Sequence, residues 1–213
     1  MTLESNKTLG GIGAILMFIG IFPLISYYGI IELVGVILVL VALHGLASYY
    51  NENGIFNNAI YGVVAGIVGG IIAVVAVVYT VLTSLTDLLQ QIYPGWNGDW
   101  STLQGMTPNT SNIDPSAIYP LVAGILAVLV IVWVFAIIAA FFIRRSLKQV
   151  STKSNVGLFG TAGLLLLIGA IIPLLGLILI WIAALLLAIA FFTLKPYERP
   201  METATSPPPP TPV

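Results

Sequence analysis

Predominantly apolar runs of bilayer length recur along this chain, and no other feature narrows its fold so far. They cover residues 9–28, 30–50, 59–83, 117–143 and 156–194. A helix needs about 20 apolar residues to cross a hydrocarbon core about 30 Å thick. Water is absent there, so a spanning run satisfies its own backbone amides by coiling into a helix. Only 7 % of the 213 residues are charged, against about 25 % in a water-soluble domain. The predicted fold class is therefore all-α, a polytopic transmembrane helix bundle.

The last run, 156–194, is too long for one crossing at 1.5 Å per residue. "IIPLLGL" lies near its middle, with Pro173 and Gly176. Proline removes a backbone donor and glycine permits a turn, so the run divides into 156–172 and 176–194. The alternative is one kinked span with a buried remainder. Division gives six spans.

Charge then orients them. Arg144, Arg145, Lys148 and Lys153 lie between spans four and five, Lys7 at the start, and Lys195 and Arg199 after the end. With six spans and a cytoplasmic N-terminus, all seven basic residues fall on one side, as the positive-inside bias requires. Both termini are then cytoplasmic, in a cell membrane. Tyr27, Tyr28, Tyr93 and Tyr119 mark one interface, and Tyr49, Tyr50, Phe141, Phe142, Phe191 and Phe192 the other. The N-terminal run reads as a retained helix, since no small-residue cleavage pattern follows it.

Span three is expected to outrun the bilayer. Leu85, Leu88, Leu89 and Ile92 keep helical spacing among polar residues until Pro94 and Gly95. An external loop, about 84–116, follows, and Asp114-Pro115 reads as the cap of span four. Residues 195–213 carry seven prolines and read as a disordered cytoplasmic tail. "SNKTLGGIGAILMFIGIFPL" from Ser5 is echoed by "STKSNVGLFGTAGLLLLIGAIIPL" from Ser151. Spans one–two and five–six read either as duplicated hairpins in one orientation or as chance likeness in a Gly/Leu/Ile-rich chain.

"SNKTLGGIGAIL", "GIFNNAIYG" from Gly54 and "IWIAALLLAIAFF" from Ile180 resemble a family of small archaeal and bacterial membrane proteins known as domain of unknown function 996. The resemblance covers most of residues 3–194. It implies membrane location and a prokaryotic source. It carries no activity, so no site residues transfer.

Gly62, Gly66 and Gly70 recur every four residues on span three. Small residues let helix backbones approach in lipid. They read as packing inside one protomer, against spans one, two or five, or as a homo-oligomer seam. Glu32 and His44 are the ionisable residues within a span. They lie about 18 Å apart along the helix axis, either as stations of a proton path or as headgroup-reaching and hydrogen-bonding side chains. "NENGIFNN", residues 51–58, reads as a turn at Asn53-Gly54 with Asn57 or Asn58 capping span three, its amides either doing no more than that or binding a ligand or meeting Glu4, Ser5, Asn6 and Lys7 on the same face. The four-residue basic cluster favours anionic headgroups. Asn109-Thr110-Ser111 is a glycosylation acceptor pattern on the external side. Trp96 and Trp100 read as lying on the membrane surface or as docking a partner, with the surface favoured.

Cysteine is absent and His44 is the single histidine. Thiolate chemistry is thereby excluded, and no histidine metal cluster can form. A net charge of −1 gives no basic field for nucleic acid. No catalytic set and no cofactor motif emerges. The expectation is a non-catalytic scaffold or accessory subunit that contacts lipid and a second copy or membrane partner. The alternative is a small pore or transporter using Glu32 and His44.

Overall fold

The structure is a computed structural model that describes residues 2–20, 29–109, 114, 116 and 118–196. Helix α1 is Leu3–Gly20, α2 is Ile30–Tyr49 and α3 is Asn53–Thr80. A π-helical turn, Val81–Leu85, carries α3 directly into α4, Thr86–Ile92. A 3-10 turn, Trp100–Gly105, lies in the following loop. Then come α5, Ile118–Ser154, α6, Gly157–Ile171, and α7, Pro173–Phe192. No strand occurs among the described residues.

The helices pack antiparallel in a ring, α1–α2–α3–α5–α6–α7, closed by α7 against α1. Glycine makes two of these contacts uncommonly close. A Cβ on Gly13 would lie 2.8 Å from the Gly35 carbonyl of α2, and a Cβ on Gly176 would run into the Gly169 carbonyl of α6. Phe191 of α7 covers Gly10 of α1 and meets Phe159 of α6 edge-on at 5.1 Å. The buried core, with Leu46, Ile55, Leu147, Val150 and Phe191, fills the end of the ring where α1 begins and α7 ends.

Ile30–Tyr49, Asn53–Ile92 and Ile118–Ser154 are long and apolar enough to cross a membrane. The block 156–194 does divide, with α6 ending at Ile171 and α7 opening on Pro173 as its first residue. The helix of the third span does continue to Ile92, through the π turn and α4, so the loop begins after residue 92 rather than at about 84.

Two turns differ from their sequence reading. The segment after residue 143 is not a loop: α5 runs eleven residues further, to Ser154. Leu147 and Val150 supply a buried apolar face there, and the Ser146 hydroxyl donates to the Ile55 carbonyl at 2.6 Å. The helix ends only at Asn155, which takes the left-handed conformation (φ 56°) that asparagine tolerates. Likewise the α2–α3 turn is at Asn51 (φ 50°), not Asn53-Gly54. Asn58 is no cap: it lies inside α3, donating to the Gly54 carbonyl at 2.6 Å.

The two echoed segments supply the first helices, α1 and α6, of the hairpins α1–α2 and α6–α7. They lie side by side in the ring, each starting at the same end. Tyr27, Tyr28, Arg199 and the proline-rich segment 197–213 lie outside the described residues.

Candidate functional site

The ionisable residues of α2 do not converge. Glu32 sits in the first turn, exposed, its backbone 3.0 Å from where a Cβ on Gly20 would lie. His44 is exposed near the other end, its ring edge-on to Phe56 at 4.7 Å. Ile37, Leu40, Val41 and Ile60 complete a shallow groove of about 300 Å³ between α2 and α3, with His44 as its polar member.

The basic cluster keeps together because the segment is helical. Arg145, Lys148, Gln149, Thr152 and Lys153 recur at three- and four-residue spacing and line an open recess of about 340 Å³. Arg144 lies against α6, its Cα 3.1 Å from a Cβ built on Gly163. Glu52, from the α2–α3 turn, pairs with Lys153 at 3.2 Å. Such a half-exposed pair contributes at most about 1 kcal/mol.

The glycine series divides. A Cβ on Gly62 would meet Ile143 Cγ1 at 2.7 Å and the Ala139 carbonyl at 2.9 Å, both on α5. Gly66 and Gly70 face open space. Four-residue steps overshoot a 3.6-residue turn by about 40° each, so the series rotates off the seam. Gly69 takes the next seam position, packed on Phe135. The partner is α5, the fourth predicted span, rather than spans one, two or five.

Three polar features escaped the sequence reading. Asn6 is fully buried against Gly45, and neither amide atom has a partner. Gln149 reaches across to Asn58 at 3.4 Å. The Trp133 indole N–H of α5 donates to the Ala170 carbonyl at the end of α6, at 2.9 Å. Each joins residues at least 37 positions apart, so no local pattern announces it.

The loop after α4 is a folded unit. Trp96 is buried, contrary to a surface placement. Its indole donates to the Asp99 carbonyl at 2.7 Å, and its ring meets Trp100 edge-on at 5.3 Å. The Ser101 hydroxyl, then its backbone N–H, donate to the Asp99 carboxylate and hold its pKa below the ordinary value. Ser116 does the same for Asp114, consistent with a capping role there. Asn109 is exposed, and its N–H donates to the Ile92 carbonyl at 2.7 Å, closing the loop onto α4.

A family model described as a protein of unknown function, DUF996, matches residues 31–190. The chain belongs to that family. The DUF996 match runs from the start of α2 almost to the end of α7, and so takes in the α6–α7 hairpin, Glu32, His44 and the basic helix. An uncharacterized protein of Methanocaldococcus jannaschii is 29 % identical over 198 residues, covering 91 % of this chain and 94 % of its own. That alignment extends beyond the DUF996 match. No solved structure matches.

Proposed function

We propose that this DUF996 protein is a non-catalytic integral membrane scaffold or accessory subunit. The observation that carries the reading is the content of the ring. Glycine, alanine, aliphatic and phenylalanine side chains make up most of it, with Asn6 and Ser146 as fully buried polar members, while Glu32, His44, Arg145, Lys148 and Lys153 are exposed. Such a body suits contacts with lipid and other helices better than chemistry on a substrate.

On this reading the protein sits in the cell membrane with its basic end toward the cytoplasm. Lys7, Arg144, Arg145, Lys148, Lys153 and Lys195 all lie toward the end of the ring where α1 begins and α7 ends. Anionic headgroups suit that end. Each helix pair leaves from it and returns to it, so α1 begins and α7 ends on this side however far each hairpin reaches. On the opposite side, the folded loop around Trp96 and Trp100 offers a partner a structured surface.

Native mass spectrometry after gentle extraction from the protein's own membranes tests the reading. A defined partner or stable homo-oligomer is expected. A lone monomer carrying only lipid counts against it. The groove holding His44 favours a second reading, a small-solute or proton pathway along α2 through Glu32 and His44. The double variant Glu32→Gln, His44→Ala with unchanged flux in liposomes removes that mechanism.

A further inference from the structure

We propose that the α6–α7 hairpin is re-entrant: it enters the bilayer from the basic side and turns back inside the hydrocarbon. This rests on the membrane reading above and replaces two of the six crossings.

The helices do not end at one level. The Trp133–Ala170 hydrogen bond fixes the tip of α6 beside Trp133 of α5. From there α5 continues toward Ile118, and at 1.5 Å per residue that is about 22 Å beyond the tip. α3 accompanies it, since Gly124 of α5 packs on Thr80 and Gly69 of α3 packs on Phe135. Val74, Val75 and Tyr79 of α3, and Ile125, Leu126 and Leu129 of α5, are each at least 50 % exposed along this length. Were the α6–α7 tip at the outer surface, all of these would stand in water.

The ends of the α3–α5 pair show where water begins. Asp87, Gln90 and Gln91 occupy α4, and the Asp114 N–H meets Gln91 Oε1 at 3.3 Å. At the other end Tyr61, Phe141 and Phe142 cluster just before Arg144 and Arg145. Tyr119 to Phe142 is about 34 Å of helix, which fits a core about 30 Å thick with modest tilt. The α3–α5 pair matches the bilayer, as α2 does by its length; α6, with 15 residues, is short of it.

The tip is built for hydrocarbon. It reads "AIIPLLG", residues 170–176, with no polar side chain, whereas the turns at 51–54 and 151–155 are rich in Asn, Ser and Thr. Leu174 is 86 % exposed at the apex. A helix end inside lipid has to satisfy its carbonyls with protein groups. Here Trp133 takes the Ala170 carbonyl, the Ile172 N–H takes that of Ile168, and the Gly176 N–H takes that of Ile172. Gly169 and Gly176 bring the two backbones into contact, which keeps the tip narrow.

The chain has no cysteine, so single-cysteine variants report cleanly. Asp99→Cys, Lys153→Cys, Leu174→Cys and Leu177→Cys are each treated with a membrane-impermeant maleimide in intact cells. The treatment is repeated after the membrane is opened without dissolving the bilayer. Asp99→Cys is expected to label from outside, and Lys153→Cys only after opening. Leu174→Cys and Leu177→Cys label on the order of tenfold less under both conditions, because their positions lie in hydrocarbon, and react once detergent dissolves the bilayer. Labelling of Leu174→Cys from outside at the Asp99→Cys rate overturns the re-entrant hairpin while leaving the membrane reading intact. Labelling of Asp99→Cys and Lys153→Cys from one side removes both.

Discussion

The glycine series on α3 permits a prediction in which the sign, not only the size, depends on where each residue faces. In Gly62→Ala the new methyl would lie 2.9 Å from the Ala139 carbonyl, a backbone atom that no rotamer change can move. The neighbouring Ile143 Cγ1, at 2.7 Å, can rotate away. α3 and α5 therefore separate by about half an ångström to reach ordinary contact, an overpacking that costs about 1–3 kcal/mol. Replacing a mid-helix glycine returns about 0.5–1 kcal/mol of backbone entropy. The net expectation is a loss of up to about 2.5 kcal/mol. In Gly66→Ala and Gly70→Ala nothing lies within 4 Å, so only the gain of about 0.5–1 kcal/mol remains. The assay is unfolding of the purified protein in mixed micelles by titration with a denaturing detergent, followed by helical circular dichroism. Gly62→Ala should shift the midpoint down and the other two up. Three shifts of one sign would refute the assignment. A loss of stability in Gly66→Ala that tracks dissociation of a dimer would show a seam between copies.

Three further outcomes follow from the polar groups. Asn6→Leu keeps the branched shape and removes two buried unpartnered atoms, so stability should rise by about 1–3 kcal/mol in the same titration. The Asp99 carboxyl has a folded pKa below its unfolded value, so its contribution is present above the ordinary carboxylate range and is lost as pH falls through the folded value. Tryptophan emission from the loop should therefore change only under strong acidification, and Ser101→Ala should move that change to higher pH. Glu52→Gln breaks the pair with Lys153 and should cost less than about 1 kcal/mol at low salt, and nothing measurable at high salt.

Helix positions were legible where an apolar run stood alone. α2 and the Pro173 boundary fall where the hydropathy and the proline place them. The basic segment was misread because Arg144, Arg145, Lys148 and Lys153 dominate its composition. The signal that would have found the helix is Ile143, Leu147 and Val150 at helical spacing inside that segment, and all three join the core. The glycine seam runs through Gly69 rather than Gly70, because a four-residue repeat drifts off one helix face. Asn6 left no sequence trace at all. Its burial depends on Gly45, 39 residues away, and only the α1–α2 packing joins them. The uneven depth of the helices was equally invisible to hydropathy, which measures how apolar a run is and not which neighbour's level it stops at.

The closure of α7 onto α1 has a temporal side. Gly10 finds its cover, Phe191, only when nearly the whole chain exists. At about 5–20 residues per second, ribosomal synthesis leaves the glycine face of α1 uncovered for on the order of ten to thirty-five seconds. During that interval α1 has α2 on one flank and nothing of its own chain on the other. The newborn α1 is thus a vacancy held open for α7, the helix made after all the other described helices.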